Sequence, residues 1–500
     1  MNKLAKPTPR GRRTLSAAAL GLCLGLLAGC AVGPDFQPPQ VETPAKWSAE
    51  QAAKPQSDQN VDLTAWWRAF DDPLLESLIQ RAVAANPDLK LAEARVRQAM
   101  AQRGVSLAAL GPSLDASGSY SRGQSRTSSG GQYAGSNIGD QYVAGFDASW
   151  ELDIFGGARR GLESADAQIR ANVEDRRDVL VTLTAEVASN YLALRTTQQR
   201  IDVAQNNLAA QQRTAQITIK RYQAGFANGL ESAQAQAQVA STAAQIPALE
   251  ATARQTMHNI AILLGQPPAA LVAELSAAAP APLTPPTPPL GLPADLLRRR
   301  PDIRRAEAEI HVATANIGVA TAELFPKINI IGSSGYSASQ AASWFTPANL
   351  IWSFGPSVSW NLFGSGRTKA QIEVQKMLEE QAVIAYRQTV LTAMREVEDA
   401  LIVSGKEVQR RALLAQAVQA NQKAVALSLE LYTQGHGDFL SVLEAQRSLY
   451  SAQDSLAQSA GGAATDMVAL YKALGGGWRE NDADDGRQAK AKDEANAAAQ

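Results

Sequence analysis

Cysteine is nearly absent: two residues in 500, Cys23 and Cys30, too few for a disulfide framework or a thiolate metal site. Histidine is as scarce, and His258, His311 and His436 are scattered with no ligand-like spacing. No Walker loop is present. Gly364-Ser365-Gly366-Arg367 lacks the lysine and is read as a strand-to-helix turn, a job that Gly156-Gly157 does earlier in the chain. These absences leave no reading as an enzyme and no cofactor. Formal net charge is −1, which gives no electrostatic case for nucleic acid. Arg298-Arg299-Arg300 is read as a solvated, ion-paired helix start rather than a basic patch. Aromatics make up only 6% and much of the 45% hydrophobic fraction is alanine, so one large core is not expected. Long helices with small-residue contacts fit better. No later stretch has 18 apolar residues in a row, which excludes a transmembrane helix.

What is present begins with a targeting signal. Lys3, Lys6, Arg10, Arg12 and Arg13 form a positive leader, and Leu15 to Leu27 is an apolar run too short to span a bilayer. It ends in Leu27-Ala28-Gly29-Cys30, which resembles a bacterial lipobox. Cys30 is therefore the expected lipidation site, and Ala31 after it implies sorting to the outer membrane. Cys23 would be removed with the leader.

The chain then repeats itself. Asn86-Pro87-Asp88-Leu89 returns as Arg300-Pro301-Asp302-Ile303, and Trp150-Glu151-Leu152 as Trp360-Asn361-Leu362. Trp150 and Trp360, Tyr222 and Tyr432, and Gly265 and Gly475 are each 210 positions apart. One architecture is built twice, and each copy is unable to close its structure alone.

Each copy carries a candidate hairpin. Tyr142, Ala144, Phe146, Ala148, Trp150 and Leu152 alternate with Asp147, Ser149, Glu151 and Asp153, which is the period of a strand with one apolar and one acidic-polar face. Leu114 to Ser121, Asn329 to Tyr336 and Pro356 to Leu362 repeat the pattern. About ten residues is the length of a tilted bilayer-crossing strand. Residues 121–141 and 337–349 read as exposed loops. The competing reading, a soluble hairpin with one wet face, explains the alternation but neither the lipobox nor the repetition.

Between hairpins the helices are long. Arg160 to Tyr222 has no proline, and Val173, Leu180, Val187, Leu194, Ile201 and Leu208 recur every seventh residue. Thr368 to Thr433 matches it, with Val383, Val390 and Val397 in step. Shorter helices, about 87–110 and 230–264, then about 301–324 and 439–474, flank each long one. The expected organisation is a signal peptide (1–29), an extended segment (30–70), a first repeat (71–275, hairpin 113–153, long helix 160–222), a Pro-rich linker (276–295), a second repeat (296–476, hairpin 327–363, long helix 368–433) and a disordered tail (477–500). Two hairpins supply four strands, which cannot close a barrel, and an open edge in lipid leaves backbone groups unsatisfied. Oligomerisation is required. Water-seeking Asp147, Glu151 and Asp153 favour a trimer of twelve strands with a wet lumen over a filled eight-stranded dimer.

These features together resemble the outer membrane factors of the TolC/OprM type, most of all the lipoprotein branch labelled NodT. The residues that carry the resemblance are Leu27–Cys30, Trp66-Trp67 with Phe70 and Asp72-Pro73, Asn86–Leu89, Leu297–Ile303, Phe325-Pro326 and Leu443-Glu444-Ala445-Gln446. The resemblance implies a mainly α chain with membrane β: a homotrimeric twelve-stranded β-barrel continued by a periplasmic α-helical barrel, seated in outer membrane lipid. It implies an exit duct of a tripartite efflux system, docked to a periplasmic adaptor (membrane fusion) protein and an inner-membrane RND, MFS or ABC-type pump. A type I protein-secretion duct and a lipid-anchored structural protein are the alternatives. The turns holding Gly225, Phe226 and Asn228, and Gly435, His436 and Asp438, are the expected periplasmic gate and adaptor-docking tips. Family members often place an acid where this chain has Gly437, which moves the gate candidate to Asp438.

Overall fold

The structure, a computed structural model, describes residues 31–48, 62–129, 132–277 and 293–479, and only the backbone of 125–129 and 132–137. The signal sequence, Cys30 and residues 480–500 lie outside the described residues. In chain order the elements are a 3-10 helix (Leu63–Phe70), α1 (Pro73–Ala85), α2 (Pro87–Ala108), β1 (Ser113–Ser129), β2 (Gln132–Leu152), α3 (Gly157–Gln223), α4 (Gly229–Leu263), α5 (Val272–Leu275), α6 (Pro293–Arg299), α7 (Pro301–Ala322), β3 (Lys327–Ala338), β4 (Leu350–Ser359), α8 (Arg367–Gln434) and α9 (Phe439–Ala473). No described helix is long and apolar enough to cross a membrane. The backbone divides into two compact units.

The first unit comprises residues up to Pro39, Val96–Ala171 and Ala306–Tyr386. Its centre is one antiparallel sheet in the order β1-β2-β3-β4. The two hairpins are joined by β2–β3 pairing, with Trp150 opposite Ile330 and Phe146 opposite Ser334. Three expectations change here. Residues 121–129 and 132–141 are not a loop: β1 and β2 stay paired out to Ser129 opposite Gln132, with one irregularity between Arg126 and Ser128. Backbone pairing continues there because Ser, Gly and Asn can follow a ladder that gives no apolar signal. The fourth strand starts at Leu350 and ends at Ser359, so Trp360 and Leu362 lie past it. Asp153 likewise lies past β2. It accepts from the Ala158 and Arg159 backbone N–H groups and pairs with the Arg159 side chain, so its charge serves the start of α3.

The segment after Cys30 is packed rather than loose. Val32 N–H donates to Phe155 O, Arg160 binds Val32 O and Asp35, and the Phe36 ring stacks on His311 at 4.3 Å. His311 Nε2 lies 2.8 Å from Glu163 Oε1. Burial works against ionising Glu163, but His311 and Arg160 outweigh it and hold its carboxyl below the usual range.

The second unit comprises Gln40–Arg95, Asn172–Arg305 and Arg387 onward. Contrary to the composition argument, it contains a large apolar core. Trp66, Phe70, Leu78, Val187, Tyr191, Leu194, Ile260, Val397, Leu401 and Tyr471 meet there, and Trp66 stacks on Tyr471 at 5.2 Å. Whole-chain composition hid this because the core is built mostly of leucine and other aliphatic side chains, with few aromatics needed. Leu180, Val187 and Leu194, the middle of the heptad seam on α3, bury into it. Trp478 also packs there, under the Arg177 guanidinium at 4.5 Å, so the ordered chain runs past 477. Arg300 is buried rather than solvated: it pairs with Asp302 and Glu396 and donates to Ala473 O. A second, small cluster of Ala215, Ala235, Tyr432, Phe439, Val442 and Leu443 sits near the ends of the long helices.

Candidate channel wall and helix tips

Opposed residues in an antiparallel pair share a face, so the register assigns every side chain. Leu114, Ala148, Gly332 and Phe354 form one row, and Ala116, Phe146, Ser334 and Trp352 the next. Trp150, Ile330 and Pro356, then Leu152, Ile328 and Val358, complete an apolar face. The other face carries Asp115, Asp147, Ser333 and Ser353 in one row and Glu151, Asn329 and Ser357 in another. Asp147 thus lies directly across from Asp115 and accepts from Ser117 Oγ at 3.3 Å.

Among the described residues, Trp344 and Phe345 touch the apolar face at Tyr142 and Tyr336, and much of the rest is bare. Leu114 is 70% exposed, Trp352 74% and Phe354 75%. A contiguous bare apolar surface of this kind marks a membrane or protein contact. Aromatics bound the face at two levels. Tyr120 and Tyr142 pack together toward the hairpin turns. Near the strand bases, Trp150 donates to Leu110 O and its repeat counterpart Trp360 donates to Leu324 O, at 2.9 and 3.0 Å. Each indole is fixed to the helix end that precedes its hairpin. Such girdles belong to membrane-spanning barrels. Among the described residues, β1 and β4 are each paired on one side only.

The helix tips are built alike. At the end of α3, Phe226 N–H bonds Arg221 O and Gly225 N–H bonds Tyr222 O; at the end of α8, His436 N–H bonds Leu431 O and Gly435 N–H bonds Tyr432 O. Gly225 and Gly435 both have φ of 81°, the left-handed state that glycine takes without strain. Asn228 and Asp438 then cap α4 and α9, accepting from Glu231 and Ser441 N–H at 2.9 and 2.6 Å. At 437 a Cβ would stand 3.1 Å from Leu431 Cβ and 3.2 Å from Tyr432 N, so glycine fits this turn better than an acid.

The tips differ in what they expose and in how they are joined. Phe226 is 77% exposed, whereas His436 holds the matching place. Tyr222 is half exposed while Tyr432 is buried. Tyr432 O–H donates to Glu231 Oε2 at 2.9 Å, the Arg221 guanidinium covers its ring at 4.7 Å, and Arg221 also donates to Thr433 O. Burial, chiefly, raises the Tyr432 phenol. Sequence reasoning singled out Tyr222 and Tyr432 as landmarks but had no signal for this latch, because it depends on which copy's tyrosine turns inward. Among the described residues no cluster of His, Cys, Asp and Glu is placed to hold a metal ion.

The model of the family described as outer membrane efflux protein matches residues 78–266 and 292–476. The chain is 36% identical over 470 residues to the pyoverdine export outer membrane protein OpmQ of Pseudomonas aeruginosa, covering 92% of this chain and 97% of that one. It is 33% identical over 457 residues to nodulation protein T of Rhizobium leguminosarum bv. trifolii, covering 91% and 96%. The solved outer-membrane channel OprN superposes with a TM-score of 0.83 at 36% identity, over 90% of this chain and 100% of that one. The open-state MtrE channel of Neisseria gonorrhoeae gives 0.78 at 28%, over 90% and 98%. With a family model and full-length relatives matching both repeats, the chain belongs to the outer membrane efflux protein family.

Proposed function

We propose that three copies of this chain close a twelve-stranded barrel in the outer membrane and form the exit duct of a tripartite efflux system. The carrying observation is the open four-stranded sheet with one bare apolar face, one polar face and two unpaired edges. In lipid those edges need partners, and only further copies of the sheet supply them with matching faces. A filled eight-stranded dimer would bury Asp115, Asp147 and Glu151, whereas a trimer leaves them water. Asp147 and Glu151 then line the lumen. The helix α8 supports assembly: Val390 and Val397 are buried, while Met377, Ile384 and Leu391, also seven apart, are exposed. That second seam fits a neighbouring copy.

Lipid on Cys30 adds an anchor, and the packed segment from Val32 to Phe36 holds it to the first unit. The tips at Gly225–Asn228 and Gly435–Asp438 form the periplasmic gate and meet a periplasmic adaptor. An inner-membrane pump of RND, MFS or ABC type supplies the energy. Purified protein in planar bilayers tests the reading. Trimers with measurable ion conductance are expected. A monomer, or a trimer that conducts no ions even after Arg221→Ala and Tyr432→Phe loosen the tips, would reject it.

A further inference from the structure

Between the large core and the tip cluster, α9 packs through small buried residues such as Ala452 and Ala457 and is held by side-chain hydrogen bonds beside them. Against α3, Arg200 binds Asp454 in a two-pronged pair at 2.7 and 3.2 Å, Asn207 donates to Gln453 at 2.6 Å, and Gln446 donates to Thr214 at 2.8 Å. Against α4, Arg447 donates to Gln238 at 2.7 Å and Tyr450 to Gln245 at 2.6 Å. Residues 200, 207 and 214 are one heptad apart, as are 238 and 245, and 446 and 453. The bonds therefore form a regular ladder along both flanks of α9. Gly461 ends it: a Cβ there would overlap the Thr196 side chain, so α9 and α3 pack tightly at that point.

Most ladder residues are ones by which the two repeats differ; only Arg200 and Gln446 are shared, as Arg410 and Gln236. At the 210-residue offset, Asn207 and Thr214 correspond to Ala417 and Ala424. Arg447, Tyr450, Gln453 and Asp454 correspond to Ala237, Ala240, Ala243 and Ala244. Gln238 and Gln245 correspond to Ser448 and Ser455. A duplicated chain has a pairing problem, because α4 and α9 descend from one ancestor and carry the same landmarks. Apolar seams of alanine do not discriminate between partners or between registers one heptad apart. Polar groups at buried seam positions do, since a wrong partner leaves Asn207, Thr214, Gln238 and Gln446 buried and unsatisfied.

We propose that this ladder is a pairing key: it selects α3 and α4 as the neighbours of α9 and fixes the register, so that the two homologous halves do not interchange. The inference concerns pairing within one chain and stands or falls separately from conduction. Oxidative cross-linking of the full-length protein tests it. The pair Ala215→Cys with Leu443→Cys, both in the tip cluster, reports native register; Leu208→Cys with Leu443→Cys reports a one-heptad slip. Replacing Asn207, Thr214, Arg447, Tyr450, Gln453 and Asp454 together by alanine is expected to lower the native cross-link about tenfold relative to the slipped one, the change made by ~1.4 kcal/mol of lost preference, with helix content by circular dichroism retained. An unchanged ratio would overturn the proposal. If the alanine ladder does not fold, the exchange series decides. Arg200→Asp and Asp454→Arg are each expected to lower the native cross-link and together to restore it. No recovery in the double variant would equally overturn it.

Discussion

At the scale of single residues, charge and local geometry separate. Asp438 caps α9 and also carries the negative charge nearest the second tip turn. Asparagine caps as well as aspartate, so Asp438→Asn is expected to change stability by less than ~0.5 kcal/mol, whereas Asp438→Ala costs about 1 kcal/mol. If the charge helps close the tip, both variants will show the same rise in leak conductance and the same loss of cation preference. An effect of Asp438→Ala alone would assign the residue to capping only. Asp178 makes a second case. Burial, chiefly, and then the neighbouring Asp302 raise its carboxyl above the ordinary value. A raised folded value means that the native state holds this proton more tightly than the unfolded state does. The related stability is fully present below the unfolded value and is lost as pH rises through the folded one. Asp178→Asn should therefore raise the melting temperature at pH 7, and the gain should shrink as the medium is acidified toward pH 4. A gain that is constant with pH would show that Asp178 stays ionised throughout.

At the scale of elements, the two faces of the sheet make opposite demands. Phe354→Arg places a cation on the bare apolar face, where a charge near the bilayer midplane costs about 2–4 kcal/mol. Ser353→Arg, one residue away, lands on the polar face and should fold normally while shifting ion selectivity. Urea unfolding in lipid vesicles, run beside conductance, separates the two outcomes. The parity behind this prediction was legible in the sequence from Tyr142 to Leu152, because a half-buried strand writes its two faces as alternating letters. The extension of β1 and β2 to Ser129 and Gln132 was not legible, since a run of Ser, Gly and Asn pairs through its backbone and leaves no alternating signature. Nor was the true position of Asp153, one residue beyond the strand: parity continues in the letters after the ladder has stopped. The long helices could be read from heptads and the absence of proline, and the tip turns from glycine. The Tyr432–Glu231 latch could not, because it joins residues 201 positions apart whose repeat counterparts do something else.

At the scale of the whole molecule, the number of copies sets how many charges share the lumen. Asp115 and Asp147 face each other across β1 and β2 on the polar face, and closing the sheet by three-fold repetition would bring each copy's pair to one level. Like charges gathered around a narrow aqueous path raise the local concentration of cations and exclude anions. Under a salt gradient across a planar bilayer, the protein is therefore expected to show a cation-selective reversal potential. Asp115→Asn with Asp147→Asn should move that potential toward zero with little change in trimer yield, since neither carboxylate supports the core. Raising the salt should mimic the substitution, because a Debye length of about 10 Å at 0.1 M falls to about 3 Å at 1 M. A reversal potential unaffected by either change would turn the acidic face away from the conduction path. The twelve-stranded arrangement would then need its faces reassigned, with the bare face of Leu114, Trp352 and Phe354 turned into water, an outcome opposed by the cost of wetting so much apolar surface.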